Sequence, residues 1–212
     1  GLDFGSDVIP HLIEHGHVYS YRFRDYWKDV GTYESYLEAN LELTTTVDQI
    51  QLDMYDPNWI IHTKSEEKPT AKFGSKAQVC QSLISNGSIV AGSVTKCVVS
   101  PGVHIHPNAI VRNSIIMNDT VIEEGCIIDG AIIDKECVIG KGSIIGSGAI
   151  SCANEDKPKV LSSGLNVIGK GVRLPEGTIV ERNVRIFPHV SEEDFNDKII
   201  TCGRTIYPAK EA

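Results

Sequence analysis

From about residue 76 to residue 190 an aliphatic side chain returns every sixth position, as at Ile168, Leu174, Val180 and Ile186. Four residues after each stands a small or β-branched residue: Val172, Thr178, Val184 and Val190. The same step joins Val99, Ile105 and Val111, and again Ile133, Ile139 and Ile145. A period of two describes a flat strand and one near 3.6 a helix, so a period of six is neither. Six residues suffice for one short strand and a corner. Three such units close a triangular coil of about 18 residues, which stacks on its neighbours at the strand spacing of roughly 4.8 Å.

A second period, of 17, runs through the earlier part of the repeat. Cys97-Val98-Val99 returns as Ser114-Ile115-Ile116 and as Ala131-Ile132-Ile133, and Ile105, Ile122 and Ile139 share the offset. Such a coil lacks one corner residue. The first position of each six is expected to point into the prism. The fifth should also point inward near a corner, where Ala109, Cys126, Cys137, Ser143 and Ala149 fit. Gly, Asn and Asp between them supply the turns. A helix through Gly140, Gly142, Gly146 and Gly148 is excluded by their poor helix propensity. Residues 76–190 are therefore expected to form a parallel β-helix, with residues 151–165 extruded as a loop. The tail, 191–212, is expected to drop the repeat and cap the open end.

Residues 1–45 read differently, as mixed α/β. Asp7 to Ile13 suggests a short helix with Pro10 in its first turn. Gly16 breaks it, and Val18 to Phe23 alternates as a strand would. Thr32 is placed to cap a second helix, with Glu34 near its positive end and Tyr36, Leu37, Ala39, Asn40 and Leu43 at helical spacing. Residues 46–75 are less regular and read as a connector.

The net charge of −8, with no basic cluster, argues against a nucleic-acid partner. No apolar run approaches a membrane span, and the first residues have neither the basic start nor the apolar core of a signal peptide. None of the six cysteines forms a CxxC pair, which disfavours a zinc knuckle. Four sit in apolar runs as small hydrophobes, and reduced thiols in the cytoplasm are expected.

The most specific short motif is Tyr26-Trp27-Lys28-Asp29-Val30-Gly31-Thr32. An Asp before Gly is ordinarily a turn residue. Here the motif resembles the Tyr-Trp-x-Asp-[Val/Ile]-Gly-Thr signature of sugar-1-phosphate nucleotidyltransferases, and Tyr36, Glu38, Ala39 and Asn40 continue the likeness. Asp3 to Pro10, Leu52 to Trp59 and Pro69 to Phe73 resemble the matching segments of ADP-glucose pyrophosphorylases, with Thr70 where that family more often has Pro. The six-step repeat resembles the hexapeptide family.

The resemblance implies a mainly β chain: a left-handed parallel β-helix preceded by the C-terminal α/β remnant of a nucleotidyltransferase domain. It implies that Asp29 is catalytic and holds Mg²⁺, and that the substrates are glucose-1-phosphate and ATP. The family's Gly-rich nucleotide loop, its sugar-contacting Glu-Lys segment and its first metal-binding Asp are absent from these 212 residues. The chain alone is thus expected to be inactive and to serve oligomerisation, as a tetramer or dimer through the β-helix, and regulation.

Lys135 and Lys170 fall at corners of the prism. Ordinarily such lysines only maintain solubility; the resemblance implies that they bind an anionic allosteric effector. His104 and His106 flank Ile105 and should point outward, and His189 is read as another surface histidine. Asp53, Asp56, Glu66 and Glu67 are read as solvated charges. Alternative readings are a nucleotidyltransferase forming GDP-mannose or dTDP-glucose, and a hexapeptide acyltransferase using coenzyme A.

Overall fold

Three short strands per coil wind residues 72–206 into a three-sided parallel solenoid in the computed structural model. The structure describes residues 2–45, 52–62 and 66–209, so residues 46–51 and 63–65 of the expected connector and 210–212 of the tail lie outside the described residues. The first face stacks Lys72–Phe73, Ile89–Val90, His104–Ile105, Val121–Ile122, Val138–Ile139 and Arg173–Leu174. The second and third faces share the long strands Ser93–Val99 and Ile110–Ile116, which bend across a corner. Beyond these, Ile127–Asp129, Ile144–Ile145 and Ile179–Val180 continue the second face, while Ala131–Ile133, Asn166–Ile168 and Arg185–Ile186 continue the third.

The sequence periods become the register. Ile105 pairs with Ile122 and Ile122 with Ile139; Val99 pairs with Ile116 and Ile116 with Ile133. Three inward ladders result, all buried: Val90, Ile105, Ile122, Ile139 and Leu174; Val94, Val111, Ile128, Ile145 and Val180; and Val99, Ile116, Ile133, Ile168 and Ile186. Ala109, Cys126, Cys137 and Ser143 fill corners inside the prism, as do Val172, Thr178, Val184 and Val190. Burial pushes the thiols of Cys97 and Cys137 up to about 11, so both pack as neutral apolar groups.

Many corners turn through a left-handed residue. Lys96 (φ 55°), Asn113 (φ 47°) and Gly130 (φ 69°) stand over one another between the second and third faces. Asn and Gly adopt this region readily, whereas Lys96, Glu136 (φ 60°) and His189 (φ 63°) do so because the stacked coil imposes it. Gly146 carries a second constraint, because a Cβ there would lie 2.1 Å from the Asp129 carbonyl oxygen of the neighbouring coil. Gly146→Ala is expected to destabilise by about 3 kcal/mol or more, since neither backbone can yield. Gly125 also has φ 72° but has open space where a Cβ would stand, so Gly125→Ala should cost about 1 kcal/mol. Urea unfolding of the two variants checks the contrast.

Four expectations need correction. Ala149 is exposed rather than inward, because the chain leaves the coil after Gly146 and returns only at Asn166–Ile168. The tail does not drop the repeat: Ile199–Ile200 pairs with Ile179–Val180, and Thr205–Ile206 with Arg185–Ile186. A 3₁₀ turn, Glu192–Asp194, lengthens the preceding corner and hides the six-step from the sequence. Four cysteines are expected to pack as small hydrophobes, but three are buried, Cys97, Cys126 and Cys137. Finally, Val18 to Phe23 forms no strand, since alternation needs a partner to pair with and none lies beside it among the described residues.

Two helices precede the solenoid. α1, Ile9–His15, has Pro10 in its first turn and follows a π-helical turn, Phe4–Val8, whose entry is capped by Asp3. α2 is Tyr33–Glu42.

Candidate functional site

The Trp27–Thr32 turn is held from both ends. On the helix side Thr32 and Ser35 form a reciprocal capping box: the Ser35 N–H donates to Thr32 Oγ1 at 3.1 Å, and the Thr32 N–H donates to Ser35 Oγ at 3.0 Å. Glu34 adds negative charge in the same first turn. On the N-terminal side Lys28 pairs with Glu42 at the far end of α2 and lies 3.6 Å from Glu38, while the Tyr26 hydroxyl donates to Glu42 at 2.9 Å. The Lys28 hydrogen bond, then that of Tyr26, holds the Glu42 carboxyl below its usual range, and the same contact raises Lys28. The segment before α2 is thereby tied back along the helix. Asp29 sits at the exposed apex between these anchors, its carboxylate folded back over Gly31.

α2 in turn docks on the outside of the third solenoid face. Tyr33 and Leu37 pack against Ile115, Ile132, Leu161 and Leu165. The outward aliphatics of this face are thereby covered. In Ile115-Ile116 and Ile132-Ile133 the second residue faces inward and the first is covered by α2 and the extruded segment. Covering such an isoleucine contributes about 2 kcal/mol.

A cavity of about 570 Å³ opens at this junction. Val30, Gly31, Thr32, Tyr33 and Tyr36 line one wall, Met117, Ile132, Asp134 and Gly169 the other, and Lys157 and Val160 reach in from the extruded segment. Asp29 borders this wall without lining it. Lys135 and Lys170 follow Asp134 and Gly169 directly and stack on one corner, where the Gly171 N–H donates to the Lys135 carbonyl at 2.9 Å. Lys170 makes an ion pair with Glu136 at 3.1 Å. The structure therefore brings the two lysines together beside the cavity and does not bring Asp29 into the same cluster.

Among the described residues, no three His, Cys, Asp or Glu side chains come together as a metal site. Asp29 can offer one carboxylate, and these residues alone do not fit a divalent cation. His104 and His106 point outward around buried Ile105, as alternation requires. Asp53 and Asp56 accept the N–H groups of Tyr55 and Asn58, each at 2.8 Å, and so act as turn residues. They line a second cavity, of about 380 Å³, with Phe23, Tyr26 and Trp59. Sequence spacing gives no sign of that aromatic wall, because Trp59 is distant in sequence from Phe23 and Tyr26. No helix of the described residues is long and apolar enough to cross a membrane.

Two families match. Residues 69–168 match the GlmU-like, C-terminal hexapeptide family, which fits left-handed winding of the solenoid, and residues 1–46 match the nucleotidyl transferase family. Among similar curated proteins is a glucose-1-phosphate adenylyltransferase of Thermomicrobium roseum, 45% identical over 98% of this chain and 48% of that protein. Proteins of the same name from Thermotoga neapolitana and Acetivibrio thermocellus are 44% and 34% identical, each over 99% of this chain and 49% of their own length. The chain thus spans about half the length of the curated relatives it matches.

Proposed function

We infer that this chain belongs to the glucose-1-phosphate adenylyltransferase family and works within a protein that converts ATP and glucose-1-phosphate to ADP-glucose and pyrophosphate, in glycogen or starch synthesis. The observation carrying this reading is the likeness of nearly the whole chain to proteins of that name, through the Asp29 turn and the solenoid in one continuous match. In this reaction a phosphate oxygen of the sugar attacks the α-phosphorus of ATP, and rate comes from positioning and charge. A divalent cation, Mg²⁺ in our reading, would supply charge at the phosphates. The part of this chain is to hold the Asp29 carboxylate still, on a turn fixed by Lys28, Glu42 and the Thr32 cap. The setting is the cytoplasm, and the assembly a homo-oligomer, dimer or tetramer, joined through the solenoid.

The test compares the isolated chain with a full-length protein containing it, by pyrophosphate release from glucose-1-phosphate with ATP, GTP and dTTP. The full-length protein is expected to prefer ATP and the isolated chain to release none. Release by the isolated chain, preference for GTP or dTTP, or binding of acyl-coenzyme A would each overturn the reading.

Lys135 and Lys170, adjacent on one corner, are proposed to bind an anionic effector bearing phosphate, for which a compact ammonium is suited. Charge removal at both, Lys135→Gln with Lys170→Gln, is expected to raise the effector concentration for half-activation of the full-length protein about tenfold or more. Melting should barely change, since exposed charges at a corner contribute little to stability. Effector titration of the double variant checks this.

A further inference from the structure

Three of the six cysteines are locked in the solenoid core, and two of the remaining three meet. Cys152, at the start of the extruded segment, and Cys202, in the last coil, stand 50 residues apart in sequence, yet the Cys202 Sγ lies 3.3 Å from the Cys152 carbonyl oxygen. Each thiol shifts the pKa of the other. Two features hold this approach. The Asn183 side chain donates to the Cys152 carbonyl at 2.6 Å, and Gly203, at φ 77°, lacks the Cβ that would stand 2.8 Å from the Cys152 Sγ. Any other residue at 203 would push the thiol away. Cys152 is exposed and Cys202 half-exposed, so both can be reached from solvent.

We infer that Cys152 and Cys202 form a thiol–disulfide site, oxidised by exchange with soluble disulfides of the glutathione class. The chemistry is divided between them. Burial raises the Cys202 thiol, but hydrogen bonds from Cys152 and Ser151 and from the backbone outweigh it and lower its pKa, favouring the thiolate. The neighbouring Cys202 side chain is the main influence that raises Cys152. The Cys202 thiolate attacks one sulfur of the soluble disulfide, forming a mixed disulfide and releasing one thiol. Cys152, on losing its proton, attacks the Cys202 sulfur, closes the Cys152–Cys202 bond and releases the second thiol. Two protein thiols are oxidised, one soluble disulfide is reduced, and two protons pass to the released thiolates.

The bond would fasten the extruded segment to the last coil beside Asn154. That buried side chain already donates to the Asn183 carbonyl at 3.0 Å, the Gly203 carbonyl at 3.1 Å and Thr205 Oγ1 at 3.2 Å. The fastened segment carries Lys157 and Val160 to the cavity and Leu161 and Leu165 under α2.

The intact chain, treated with oxidised glutathione and then freed of excess, tests this by mass and by peptide mapping without reductant. The expected product has a Cys152–Cys202 cross-link and a glutathione adduct at exposed Cys80, which serves as the internal control. Its melting temperature should rise by about 5 °C or more, since a cross-link over a long loop restricts the unfolded chain, and fall back with dithiothreitol. Cys152→Ser should leave a stable glutathione adduct on Cys202 and abolish the rise. Separate glutathione adducts on Cys152 and Cys202, or no reaction at either while Cys80 is modified, would overturn the inference.

Discussion

Ile145→Ala will lower the free energy of unfolding by about 3–4 kcal/mol, whereas the adjacent Ile144→Ala will lower it by less than about 1 kcal/mol. Ile145 is fully buried in the prism, where the stacked coils above and below cannot collapse into the space of a lost side chain. Ile144 stands half-buried on the outside of the second face, and solvent fills whatever it vacates. The third face should behave otherwise. Ile115 and Ile116 are both buried, the first under α2 and Leu161, so Ile115→Ala is expected to cost about 2 kcal/mol although it points out of the prism. Urea unfolding of the four alanine variants, Ile116→Ala included, reads the pattern. Equal losses at 144 and 145 would exclude the inward ladder, and no loss at 115 would exclude the docking of α2.

The second large effect concerns catalysis. In the full-length protein, Asp29→Asn is expected to reduce turnover about a hundredfold or more and to raise the Mg²⁺ concentration needed for half-maximal rate. It should leave the melting temperature unchanged, because the carboxylate is exposed and the turn is held by other residues. A merely structural role would give the opposite signature, a lower melting temperature with an unaltered metal requirement. Full activity of Asp29→Asn would remove this residue from the mechanism.

Much of the solenoid was legible because its cause is local. A strand and a corner of six residues are specified by neighbours along the chain, and the offset of 17 between Ile105, Ile122 and Ile139 is itself the coil length. Corners were partly legible: Asn113 and Gly130 advertise a left-handed turn, but Lys96, Glu136 and His189 are forced into it by the coils above and below. The last coil escaped notice because the Glu192–Asp194 turn lengthens one corner, and a period is visible only while it repeats. The alternation at Val18 to Phe23 misled for the converse reason: pattern alone makes no strand without a neighbour to receive its hydrogen bonds.

Read alone, the amino-acid order determined the three-sided winding, most of its inward residues, the capped helix after Thr32 and the family likeness at Asp29. Each of these depends on spacing within one coil or one helical turn. Tertiary structure alone decided which outward isoleucines are covered, that Lys135 and Lys170 share a corner beside a cavity, and that Cys152 meets Cys202. Those contacts join residues far apart in sequence, through the path of α2 and the return of the extruded segment, and chain spacing carries no record of such a path.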